Sequence, residues 1–256
     1  MENKEIAILL EEIKKKKELS TLPDEMITEA IHLHMKGYAH VSNPSPSQRK
    51  ILVKEIRAKL RRSAGMFQRG STKGRRKKAK NNMNELLKTH ISTAERIEYY
   101  PLLKKKLLDL RITSVLDIGC GLNPLALASP EIHYYAGDIR KDEIDIINDF
   151  FKREHIVGNA FIYDIRKFKE DLPKTDIALI WKVLEIVGGD THKLTEHLLT
   201  SLSSPLILMS FSTCTLSGKP MKNKRRIWFE HILKEKKCVY EVFEIPNEIF
   251  YLVKKH

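Results

Sequence analysis

From residue 114 onward, runs of five to seven mostly apolar residues alternate with stretches of helical periodicity. Ser114–Ile118, His133–Asp138, Ala160–Asp164, Thr175–Trp181 and Leu206–Phe211 read as strands. Helices are expected over Asp142–Arg153, Thr191–Leu202 and Asn223–Lys236, and two further strands over Cys238–Glu244 and Ile249–Val253. Ile177-Ala178-Leu179-Ile180-Trp181 carries no polar residue. Such a run belongs in a parallel sheet covered on both faces. The last two strands alternate more and lie close together, as in a hairpin at a sheet edge. A doubly wound α/β domain follows from this order. Upstream, Ser92-Thr93-Ala94-Glu95 reads as a capping box opening a helix that Pro101 interrupts.

The first 82 residues have a different texture. Ile6, Leu9, Leu10 and Ile13 recur at helical spacing and are followed by Lys14–Lys17. Pro23 opens a second amphipathic helix that Gly37 ends. Ser42 to Ser47 is a linker, and Gln48–Arg62 carries Leu52, Val53, Ile56 and Leu60 on one face of a third helix. Residues 65–82 are expected to form a loop that orders on its partner. The boundary is therefore set at 82, giving a helical basic domain (1–82) and an α/β domain (83–256).

Charge explains what the small domain is for. The chain of 256 residues carries a net +13. Between Arg49 and Lys80 stand fourteen basic residues and one acid, Glu55. Fourteen less one is +13, so the rest of the chain is neutral by difference. Such density repels itself unless an anion relieves it, and a nucleic-acid backbone does so by counterion release. Arg61, Arg62, Arg75, Arg76, Lys77 and Lys78 are the candidate phosphate contacts. With Phe67 as its one aromatic, the segment suits gripping phosphates and not stacking bases.

No run reaches the ~18 apolar residues of a membrane span, and no apolar signal core follows Met1. Cys120, Cys214 and Cys238 form no Cys-x-x-Cys pair, which fits a reducing, cytoplasmic compartment. The histidines offer no metal site, since His32 and His34 point to different faces of one helix and His192 and His197 lack companion ligands.

At the end of the first strand stands Asp117-Ile118-Gly119-Cys120-Gly121-Leu122-Asn123-Pro124. A glycine-rich turn from strand to helix lets a ligand approach the backbone. A dinucleotide fingerprint wants glycine at position 124, where proline stands. Asp138 ends the second strand, placed for the two hydroxyls of a ribose, and Asp164 ends the third, near where an adenine amino group would lie. Asp-x-Gly-x-Gly with these two acids is the pattern of S-adenosylmethionine-dependent methyltransferases.

Within that class the chain resembles the aminoglycoside-resistance methyltransferases that modify N7 of a guanine in 16S ribosomal RNA. The resemblance rests on His90-Ile91-Ser92-Thr93-Ala94-Glu95-Arg96, on Leu116 through Leu127, on Leu216-Ser217-Gly218-Lys219 and on Trp228-Phe229-Glu230. It implies a Rossmann-like class I methyltransferase domain with a seven-stranded, mostly parallel sheet, and an N-terminal part that docks on the ribosome. It implies S-adenosyl-L-methionine as cofactor and the 30S subunit as partner, with no membrane and no obligatory protein partner, so a monomer. Arg96 would pair with the methionine carboxylate. Asp117, Gly119, Gly121, Asn123, Asp138 and Asp164 complete the expected cofactor set. Lys182 and Lys219 would position the target base, Lys219 also touching RNA.

The chain departs from the family at Ser212 and Cys214, where a proline and a basic residue are usual, and at Lys224-Arg225-Arg226, where a tyrosine is missing. Guanine N7 attacks through a free lone pair, so no general base is expected. Two alternatives stand beside this reading. Ser212-Thr213-Cys214-Thr215 resembles the Thr-Cys-Ser motif of RNA cytosine-C5 methyltransferases, with Cys214 as nucleophile, although their Asp-x-Pro-Cys is absent after strand four. The other is a non-catalytic ribosome-binding protein that keeps the fold.

Overall fold

A computed structural model describes residues 3–36, 44–61, 82–167, 171–187, 190–215 and 218–255. One seven-stranded sheet organises the chain from residue 114 on, in the order β3-β2-β1-β4-β5-β7-β6. Its strands are β1 (Ser114–Ile118), β2 (His133–Asp138), β3 (Gly158–Ile162), β4 (Ile177–Trp181), β5 (Leu206–Ser212), β6 (Val239–Ile245) and β7 (Glu248–Lys254). The first five run parallel, while β7 pairs antiparallel with both β5 and β6. The expected terminal hairpin is thus present. Its second strand, β7, lies inside the sheet, which is why Ile249, Phe250, Tyr251 and Val253 are fully buried. The sequence places the third strand's end at Asp164; β3 stops at Ile162, and Asp164 lies in the loop beyond.

Strand β1 illustrates how the pattern becomes a core. Val115 joins one apolar layer, with Tyr134, Leu179, Trp181 and Phe250, and its neighbours Leu116 and Ile118 join the layer on the opposite face. The first layer is covered by α6 (Tyr100–Asp109) through Leu103 and Leu107, and by α8 (Lys141–Arg153) through Ile144, Ile147 and Phe151. The second is covered by α9 (Thr191–Ser201) and α10 (Ile227–Glu235) through Leu198, Leu199, Phe229 and Leu233. Short α7 (Pro124–Leu127) follows β1 directly, with Pro124 in its first turn.

Two local expectations fail near residue 90. Helix α5 (Ile91–Arg96) is preceded by His90 without a side-chain cap, so Ser92 lies buried inside the helix and no capping box forms there. Pro101 does not interrupt a helix; it stands in the first turn of α6, where its missing N–H costs nothing. Helix α4 (Met83–Leu87) precedes both and is capped by Asn82, whose side chain accepts from the Glu85 N–H at 3.2 Å.

The N-terminal helices α1 (Asn3–Lys14), α2 (Asp24–Met35) and α3 (Pro46–Leu60) pack around Leu9, Ile13, Met26, Ile27, Ile31, Val53 and Ile56. α3 starts two residues earlier than the sequence suggests. Ser45 caps it and Gln48 reaches back to the Ser45 N–H, a capping box in the stretch read as linker. The expected loop over 65–82 lies, apart from Asn82, outside the described residues, as do Gly37, Ser42 and Asn43. No described helix is long and apolar enough to cross a membrane.

The three-helix arm is joined to the sheet domain by named contacts. Ile139, just after β2, packs on the arm's apolar cluster. The Arg140 guanidinium donates to the Glu18 carbonyl at 3.1 Å and to the Thr21 hydroxyl at 3.2 Å. Lys167 pairs with Glu25 at 2.9 Å and Glu29 at 3.2 Å.

Candidate cofactor and substrate site

Strand order reverses between β1 and β4, and a crevice opens there beyond the strands' carboxyl ends, as open α/β sheets require. The cleft holds about 810 Å³ of space, its open mouth included. Gly119, Cys120 and Asn123 line it from the β1 turn, Asp138, Ile139 and Arg140 from β2, and Trp181, Lys182 and Val183 from β4. Met26 of the arm also lines it, beside Tyr163 and Asp164.

The glycine turn is built to be close. Gly119 and Gly121 adopt φ values of +66° and +50°, the left-handed region that favours glycine. A Cβ on Gly119 would stand 2.3 Å from Val183 Cγ2, and one on Gly121 2.9 Å from the His90 ring. The Gly121 N–H donates to Asp138 Oδ2 and the Arg140 N–H to Asp138 Oδ1, both at 3.0 Å. Two backbone donors thus fix the Asp138 carboxylate, which has further lone pairs for a ligand's hydroxyls. Burial, with the Glu143 carboxylate close by, raises its pKa above the ordinary range.

Asp164 also lines the cleft, but its oxygens are engaged. The Arg166 backbone N–H and Nε donate to Oδ1 at 3.1 and 2.8 Å, and Nη2 bonds Oδ2. Partial burial pushes its pKa up, yet the Arg166 bonds and charge outweigh that and hold it below the usual value.

Asp117 sits beneath the cleft and does not line it. It points to the same side of β1 as Val115, is fully buried, and accepts from the Tyr134 hydroxyl at 2.9 Å. Burial pushes its pKa up to about 7, against the opposing pull of Tyr134 and the Arg96 charge.

Beneath the other end of the cleft lies a buried polar cluster. Arg96 is 1% exposed. Its Nε and Nη2 fork onto Glu248 at 2.8 and 2.7 Å, and Nη1 donates to Asn123 Oδ1 at 3.1 Å. Burial works against the Arg96 charge, and Glu248 more than restores it. The Tyr100 hydroxyl also donates to Asn123 Oδ1, at 2.7 Å. A guanidinium has five N–H donors, of which these bonds engage three, and Tyr100 is a further partner of its charge. Lys182, in the left-handed region at φ +55°, sends Nζ to Glu95 at 2.8 Å, with Glu248 at 3.6 Å. The indole N–H of Trp181, buried and lining the cleft, has no hydrogen-bond partner among the described residues.

The remaining sequence candidates fall elsewhere. Lys219 is exposed in the loop after β5 and lies outside the cleft lining, its N–H donating to Thr215 Oγ1. Cys214 also lies outside the lining; its thiol donates to Asn247 Oδ1 at 3.1 Å in the β6–β7 turn. A nucleophilic role for Cys214 therefore has no support in the geometry. Arg61 is bound to Glu18 at 2.7 Å. Arg62, Arg75, Arg76, Lys77 and Lys78 lie outside the described residues. Sequence reasoning missed Met26, Arg140, Trp181 and Glu248. Only Arg140 had a signal, standing two residues beyond Asp138.

Comparison with known proteins gives the family. A 16S rRNA (guanine(1405)-N(7))-methyltransferase of Serratia marcescens is 31% identical over 179 residues, 68% of this chain and 71% of its own length. An enzyme of the same name from Micromonospora rosea is 27% identical over 177 residues, 66% of this chain and 64% of its own. Among solved structures, the 16S rRNA methyltransferase RmtF in complex with S-adenosyl-L-homocysteine superposes with a TM-score of 0.81 at 21% identity, covering 100% of both chains. The 16S rRNA methylase RmtB gives 0.76 at 24% identity, covering 98% of each. The family model described as ribosomal RNA methyltransferase (FmrO) matches residues 53–252, from within α3 almost to the end of β7. That span takes in the glycine turn, both cleft acids and the Arg96–Glu248 fork, and the chain belongs to this ribosomal RNA methyltransferase family.

Proposed function

We propose that this protein transfers the methyl group of S-adenosyl-L-methionine to N7 of a guanine in 16S ribosomal RNA, on the assembled 30S subunit. The observation that carries the reading is the cleft itself: a fixed carboxylate, Asp138, at one end, and the Arg96 guanidinium with the unpartnered Trp181 indole N–H at the other. A ribose needs acceptors for its hydroxyls, and a methionine carboxylate needs donors. The residues present fit both ends of the cofactor. The names of the curated relatives support the same base and atom.

Asp138 holds the ribose, Arg96 the carboxylate, and Gly119 lets the ligand approach the backbone. Met26, Ile139 and Tyr163 wall the adenine end, with Asp164 near the amino group. When bound, the cofactor supplies an electrophilic sulfonium methyl. The guanine N7 lone pair is already free, so no side chain has to remove a proton first. The protein's contribution is proximity and alignment of N7 with the methyl, along with tolerance of the positive charge appearing on the base. Lys182, held by Glu95, and the more distant Lys219 are the base-positioning residues of this scheme. The arm (1–82) grips ribosomal RNA through the basic segment 49–80, and the protein acts as a cytoplasmic monomer.

The test is methyl transfer from labelled S-adenosylmethionine to purified 30S subunits, read by nucleoside mass spectrometry. The reading requires 7-methylguanosine in the 16S RNA. A 5-methylcytidine signal would overturn it in favour of C5 chemistry. Bound cofactor without any transfer would leave a ribosome-binding protein.

A further inference from the structure

Glu248 belongs to no motif in the sequence, yet the site converges on it. It opens β7, opposite Ser212 of β5, at the end of the sheet that faces the cleft. It is 1% exposed. Both its oxygens receive the Arg96 fork, the Ser210 hydroxyl donates to Oε1, and Lys182 Nζ lies 3.6 Å from Oε2. Ser210 is itself shared, since its hydroxyl and carbonyl oxygens accept from the Lys182 N–H at 3.1 and 3.0 Å. One carboxylate from the last strand thus fixes two cations that line the cleft, carried by α5 and by the turn after β4.

A buried arginine without such a partner would have neither charge balance nor a fixed rotamer. The Arg96–Glu248 fork uses the Nε side of the guanidinium and, with the bond to Asn123, holds Arg96 where it lines the cleft. A guanidinium held at the cleft wall suits a planar carboxylate. Resting on the methyltransferase reading above, we infer that Glu248 is a positioning residue. By clamping Arg96 it orients the donors that receive the amino-acid end of the cofactor, and it has no part in binding the adenosine end. The edge hairpin β6–β7 is therefore a working part of the site as well as a cover for β5.

The experiment compares two ligands on two proteins by calorimetry. S-adenosylhomocysteine has the amino-acid carboxylate, and 5′-methylthioadenosine lacks it. Glu248→Gln keeps the volume but replaces one acceptor oxygen with an NH2 that opposes the arginine. Affinity for S-adenosylhomocysteine should fall about tenfold or more, one charge-assisted bond's worth, while affinity for methylthioadenosine stays within about twofold. Ser210→Ala, which leaves the carboxylate charged and removes one of its donors, should show a smaller loss with the same selectivity, and serves if Glu248→Gln does not fold. Equal losses for both ligands, or no loss for either, would overturn the inference. A wild-type protein that binds neither ligand would instead overturn the cofactor reading on which it rests.

Discussion

Replacing Asp117 by Asn should make the protein's stability less sensitive to alkali while leaving cofactor affinity alone. Asp117 is fully buried, with the Tyr134 hydroxyl as its hydrogen-bond donor, and its pKa is pushed up to about 7 from an ordinary 3.8. The sign follows from proton binding. The folded state holds this proton more tightly than the unfolded chain, so its contribution is most favourable below pH 3.8 and is lost as pH rises towards 7. Between pH 5 and pH 8 the two pKa values give a loss of about 2.5 kcal/mol from this one group. Asn cannot ionise, and whatever its amide gains or loses against Tyr134 is the same at both pH values. The difference in unfolding free energy between variant and wild type, measured by urea titration, should therefore move by about 2.5 kcal/mol in favour of Asp117→Asn from pH 5 to pH 8. A pH-independent difference would refute the raised pKa. A large loss of S-adenosylhomocysteine affinity would refute its exclusion from the cleft.

Asp138→Ala should weaken S-adenosylhomocysteine binding by about 10- to 100-fold, the value of a charged hydrogen bond, while 30S affinity in a filter-binding assay is unchanged. Neutralising Arg75, Arg76, Lys77 and Lys78 together should do the converse, lowering 30S affinity and flattening the log–log salt slope by up to about 3; an unchanged slope would remove them from the phosphate contacts. Gly119→Ala forces a Cβ into left-handed backbone and against Val183, so the melting transition should fall by the equivalent of at least about 1–2 kcal/mol, with cofactor binding lost in parallel.

The strands were legible because their signal is local. The five residues of Ile177–Trp181 are all apolar and all buried, and a run like that has few other places to go. The glycine turn was legible for a similar reason, since Gly119 and Gly121 mark a left-handed turn within five residues of chain. The failures near residue 90 come from rules whose local signals point two ways. Ser-x-x-Glu fits a cap, but Ser92 is buried and the helix has already begun; proline breaks a helix interior and equally begins a helix, as Pro101 does. Asp117 misled for the opposite reason. The motif pointed to a ligand, whereas strand periodicity already aimed its side chain with Val115 into the layer under α6 and α8, and the periodicity prevailed.

What the sequence could not offer is the pairing of distant residues. Arg96 and Glu248 are 152 positions apart and Arg140 and Glu18 are 122 apart, and neither pair leaves a periodicity or spacing to read. Both pairs bear on the cleft. Arg140 is the more telling, because its two ends face different parts of the chain: its N–H holds Asp138, and its guanidinium holds the turn between α1 and α2. Met26, from α2, lines the same cleft. A composition boundary at residue 82 separates basic from neutral chain, but it does not separate the arm from the cleft. Arg140 and Ile139 tie the arm to the β2 turn where the Asp138 carboxylate is held, so the proposed RNA-gripping arm and the proposed cofactor cleft share a wall.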